Sequence, residues 1–144
     1  VPFRFRLQRI YDVRRKEEET LKNDLSKINE KVENTQRIIQ QLSAEKKRIE
    51  SNFLHKKVLR KEDLLNMEMQ MMFYEEEIKK KQSELSELMK EQEKTRSKLF
   101  EKMKERKILE KLKERKMREY FREENLKERK TMDEIAERKF WWES

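Results

Sequence analysis

The stretch IESNFLHKKVLRKEDLL, Ile49 to Leu65, is the part of the sequence on which the fold turns. Upstream of it, a heptad frame places Arg4, Tyr11, Glu18, Leu25, Val32, Ile39, Lys46 and Phe53 at a, with Leu7, Arg14, Leu21, Ile28, Thr35, Leu42 and Ile49 at d. Downstream, a second frame runs through Leu64, Met67, Met71, Tyr74, Ile78, Lys81, Leu85, Leu88, Gln92, Thr95 and Leu99. Both are largely apolar, as a coiled-coil seam requires. The two frames are out of phase, and the apolar spacing lapses across His55 to Arg60. Glu62 and Asp63 then supply the negative charge that favours a helix N-terminus. The pattern predicts helix 1 over about 3–54, a turn over about 55–61 and helix 2 over about 62–140, all within one coiled-coil domain spanning 1–144.

Folding back at that turn opposes seam residues whose numbers share a constant sum, because both helices rise equally per residue. Phe53 with Leu64, Ile39 with Ile78 and Val32 with Leu85 sum to 117, and Leu42 with Tyr74 sums to 116. The fold class expected is therefore all-α: an antiparallel two-helix hairpin. Position 4 lies opposite about 112 in that register, so the second helix is longer and overhangs at the C-terminus. The overhang carries Met117, Tyr120, Phe121, Leu126, Met132, Ile135, Ala136, Phe140, Trp141 and Trp142, apolar residues that need cover from elsewhere.

Composition supports a thin helical fold. Of 144 residues, 39 are Lys or Arg and 31 Asp or Glu, giving a net charge of +8, while only 33% are hydrophobic. Glycine is absent and Pro2 is the one proline, so loops that depend on positive φ, the phosphate-binding loops among them, are excluded. His55 is the sole histidine and there is no cysteine, which leaves little for acid–base or nucleophilic catalysis and argues for a non-enzyme without cofactor or metal. No apolar run approaches the roughly 20 residues that span a bilayer, and the first residues have no apolar core of a signal peptide, so a cytoplasmic protein is expected.

Two surfaces stand out as candidate binding sites. In the first sixteen residues Arg4, Arg6, Arg9, Arg14, Arg15 and Lys16 face only Asp12, and such an end seeks an acidic partner when it is more than a solvated face. Met69, Met72 and Phe73 fall off the second seam, where adaptable side chains suit a binding patch.

The opening Phe3-Arg4-Phe5-Arg6-Leu7, with Ile10, Val13 and the charged run Arg14 to Glu19, resembles the start of the flagellar FliJ family. Leu109 to Arg115 with Tyr120 and Glu123 resembles that family's C-terminal pattern, as does Arg129 to Arg138. In the latter the core Met132-Asp133-Glu134-Ile135-Ala136 precedes the basic Arg138. The resemblance implies a stalk-like, non-enzymatic component of the bacterial flagellar type III export apparatus, peripherally associated with it at the inner membrane. Its implied partners are the export ATPase ring, an export gate protein and export chaperones; the free chain is expected to be a monomer that neither inserts into membrane nor binds nucleic acid. Under that reading Arg4, Arg6, Arg9, Arg14, Arg15, Met132, Asp133, Glu134, Ile135, Ala136, Arg138, Phe140, Trp141 and Trp142 meet the ATPase ring. Met69, Met72 and Phe73 meet the gate or chaperones. A basic coiled coil that binds nucleic acid is the chief rival, weakened by the acids interleaved beyond residue 16. A structural coiled coil that dimerises through its overhang is the second.

Overall fold

A computed structural model describes residues 2–143. They form two helices, α1 over Gln8–Leu54 and α2 over Lys61–Glu143, with no strand among the described residues. The antiparallel pair and the longer second helix agree with the periodicity. Long-range contacts gather into two units, Thr20–Leu99 and a second made of the chain up to Glu19 together with the chain from Phe100 onward.

In the Thr20–Leu99 unit the seam is apolar. Ile28 and Val32 are buried, and Leu21, Leu25, Ile39, Leu42, Met71, Ile78, Leu85 and Leu88 are half-buried. Thr35 is buried as well, and its hydroxyl donates to the Lys31 carbonyl at 2.8 Å, so this polar residue meets no unsatisfied requirement in the seam. Gln92 donates to Asn29 at 2.6 Å, and Lys46 pairs with Glu75 at 3.2 Å.

Those two pairs correct the expected register. Both sum to 121, about four more than the sequence arithmetic, which is one helical turn. Leu42 is thereby level with Ile78 instead of Tyr74, and Val32 with Leu88 instead of Leu85. The cause lies in the connector. A register of 121 sets Leu54 level with residue 67, so the first turns of α2 run past the end of α1, and residues 55–60 climb to meet them. Leu54, Leu64 and Leu65 are accordingly exposed.

The connector works without glycine: no described residue has positive φ. The His55 amide donates to the Ser51 carbonyl at 3.1 Å and the Lys56 amide to the Phe53 carbonyl at 3.3 Å, which tightens the last turn of α1. At the start of α2, Asp63 reaches back to accept the Arg60 amide at 3.2 Å, the return half of a capping box, and also pairs with Lys56 at 3.3 Å. The Arg60 amide first, and then Lys56, hold the Asp63 carboxyl below its usual range.

The other unit begins differently from the expectation, since α1 starts at Gln8 and not near residue 3. Phe3, Phe5 and Leu7 are half-buried while Arg4 and Arg6 are exposed, a period of two that belongs to an extended segment laid on a surface. That surface is α2: the Phe3 and Tyr120 rings stand 5.5 Å apart. The Gln8 amide donates to the Phe5 carbonyl at 3.0 Å where the segment bends into α1.

Little of the chain is deeply buried. It exposes 12858 Å² at 18.2 kDa, against about 8,100 Å² for a compact protein of that mass. One seam between two helices leaves each with a solvated outer face, so packing alone confers modest stability.

Candidate functional site

Within the unit that pairs the start of α1 with α2, the seam is ionic. Tyr11 is buried, and its hydroxyl donates to Glu110 at 2.9 Å. Arg106 donates through Nη1 to the same Glu110 oxygen at 2.8 Å, and through Nε to Glu18 at 2.5 Å. Glu18 is only 3% exposed. One turn away, Arg14 meets Glu105 at 3.0 Å and Glu17 at 3.3 Å, while Lys102 meets Glu17 at 2.7 Å. A carboxylate out of water needs a partner with directed donors, and the planar Arg106 fork supplies two of them.

The electrostatics follow. The hydrogen bond from Arg106 first, then that from Tyr11, holds the Glu110 carboxyl below the usual carboxylate range. The Glu110 carboxylate, with burial, pushes the Tyr11 hydroxyl up. Lys102 chiefly, with Arg14, holds Glu17 down, and the two carboxylates Glu18 and Glu110 push Arg106 up. This arrangement positions and clasps; it offers no nucleophile beside a base. No group of three or more His, Cys, Asp or Glu among the described residues could hold a metal ion.

Of the five N-terminal arginines predicted to bind a partner, Arg14 is engaged in this seam. Arg4, Arg6, Arg9 and Arg15 are exposed, and the first three make no ion pair among the described residues. Arg4 and Arg6 line a groove of about 610 Å³ with Phe3, Phe5, Leu112 and Tyr120. Past Glu124, every α2 residue whose side chain is described is exposed. Met132, Ile135 and Phe140 are bare, Trp141 is exposed, and Trp142 is 88% exposed; Asp133, Glu134, Ala136 and Arg138 sit on the same helix turns.

In the Thr20–Leu99 unit, Met69, Met72 and Phe73 are exposed, with the Phe73 ring edge-on to Tyr74 at 5.4 Å. Helical spacing sets them with Leu65 on the face of α2 opposite its seam. Met69 and Phe73 are also among the residues lining an open groove of about 730 Å³, with Ile49, Phe53 and Tyr74. The end of α1 and the connector add exposed Leu54, Val58 and Leu59, which sequence reasoning missed because no periodicity marks them. The ionic seam was missed as well. Its one signal was Tyr11, Arg14 and Glu18 occupying a and d positions of the first frame.

Among the described residues no helix is long and apolar enough to cross a membrane. A family model described as "Flagellar FliJ protein" matches residues 3–143. No curated protein and no solved structure matches the chain.

Proposed function

This chain belongs to the FliJ family of flagellar proteins, a component of the flagellar export apparatus, and from that premise we propose that it binds the export ATPase ring without catalysing a reaction itself. The docking end is the one that carries exposed Arg4, Arg6 and Arg9 and the C-terminal turns of α2. The observation that supports this most is the bare stretch of α2 past Glu124, where Met132, Ile135, Phe140 and Trp142 are large, apolar and exposed. Large exposed apolar side chains mark interaction surfaces, and Trp is enriched in interface hot spots. The arginines add a long-range attraction that orients the approach.

The opposite role falls to the connector end of the Thr20–Leu99 unit. There Leu54, Val58, Leu59, Leu65, Met69, Met72 and Phe73 offer an apolar, adaptable patch suited to the export gate or to export chaperones. With those partners the chain would work in the cytoplasm, against the export apparatus at the inner membrane.

Binding kinetics on the flagellar export ATPase separate the contributions. Arg6→Glu with Arg9→Glu should mainly slow association and reduce its salt dependence, since the attraction is gone. Ile135→Ala with Trp142→Ala should mainly speed dissociation. Unchanged kinetics in both variants would remove the docking end from the ATPase.

A further inference from the structure

The C-terminal turns of α2 carry a pattern that is complementary to itself. On a helix seam of period 3.5, Asn125, Glu128, Met132, Ile135, Lys139 and Trp142 form one stripe. All six are exposed, and neither Glu128 nor Lys139 makes an ion pair among the described residues. Laying a second copy antiparallel so that numbers sum to 267 opposes Met132 to Ile135, Glu128 to Lys139 and Asn125 to Trp142, each pair occurring twice. Met132, Ile135 and Trp142 are all exposed in the single chain.

We propose that residues 125–142 of α2 pair antiparallel with the same residues of a second copy of this chain. A two-fold interface requires that residue i meet j while j meets i, and this stripe satisfies that condition with apolar against apolar and acid against base. A parallel pairing fails the same criterion, because it sets Glu128 against Glu128 and Lys139 against Lys139. Flanking positions do not undo it: Thr131 falls near Arg138 of the second copy and Arg129 near its Ala136, so like charges do not oppose. With eighteen residues a side, the covered area is roughly 1,000 Å², the low end for a specific interface, so the dimer is weak and reversible. The stripe shares Met132, Ile135 and Trp142 with the face proposed to meet the ATPase, so self-pairing and ring docking exclude each other. The monomer expected from the sequence is then the dilute form only.

The test is sedimentation equilibrium of the full chain, without the ATPase, over about 1–200 μM. The wild-type chain should pass from monomer to dimer. Glu128→Lys alone and Lys139→Glu alone should each weaken dimerisation on the order of tenfold, since two attractive pairs become repulsive. An equimolar mixture of those two variants should regain wild-type association, as should the doubly swapped chain. A monomer at every concentration, growth into species larger than a dimer, or single swaps that change nothing would each overturn the pairing. Because no ATPase is present, such a failure leaves the docking assignment standing. A dimer that forms while ATPase binding fails would remove the docking and keep the pairing.

Discussion

Glu18 and Arg106 define what the ionic seam can tolerate. Glu18 is buried and takes its 2.5 Å bond from an Arg106 that also serves Glu110. Removing one partner of such a pair takes a directed donor from a desolvated charge, whereas removing both need not. Arg106→Ala should destabilise the start of α1 by about 2 kcal/mol, while Glu18→Leu combined with Arg106→Leu should cost clearly less, the remainder being the donor that Glu110 loses in both. Hydrogen exchange of the amides from Tyr11 to Glu18 measures both; equal losses in the two variants would contradict the account. The seam also has a pH window. Glu110 is depressed by Arg106 and Tyr11, so its contribution is present at neutral pH and is lost as pH falls below the ordinary carboxylate value of 4.5. Tyr11 is raised, so its contribution is full below 10.0 and is lost as pH rises past it. Tyr11→Phe should abolish the alkaline loss and leave an acid loss due to Glu110 and Glu17.

The two helices, their order and the position of the connector were legible because leucines and isoleucines at heptad spacing survive any choice of partner surface. Asp63 announced the start of α2 for an equally local reason, a carboxylate in the first turn. The register was not legible, because periodicity accepts either of two alignments one layer apart and only the climbing connector decides between them. Leu42→Cys with Ile78→Cys should therefore oxidise readily within one chain, and Leu42→Cys with Tyr74→Cys poorly, since four residues displace the second thiol by about 6 Å along the axis. The reverse order of yields would restore the shorter register. The extended start of the chain was hidden by forcing a heptad onto Phe3-Arg4-Phe5-Arg6-Leu7, whose alternation has a period of two. As for the candidate site, exposed Arg4, Arg6, Arg9, Met69 and Trp142 could be read from an excess of charge or a misfit to the seam. The engagement of Arg14 could not, because its partner Glu105 is remote in sequence.

Taken whole, the chain holds its two units by different forces: an apolar seam in Thr20–Leu99, and ion pairs where Tyr11 to Glu18 meet Lys102 to Glu110. Exposed and half-exposed ion pairs weaken with salt while apolar burial does not. Raising salt to about 1 M should speed amide exchange across Gln8 to Glu19 and leave Ile28 to Leu42 unchanged; uniform behaviour would deny the distinction. The unit loosened in this way is the one proposed to meet the ATPase, through side chains that its own fold leaves uncovered. The most direct measurement is the rate of ATP hydrolysis by the flagellar export ATPase with and without this chain. The wild-type chain should raise the rate. Met132→Asp, Ile135→Asp and Trp142→Ser together should abolish that rise, and Met69→Ala, Met72→Ala and Phe73→Ala together should preserve it. Stimulation that survives the first set and is lost with the second would assign the ATPase to the connector end and contradict the account.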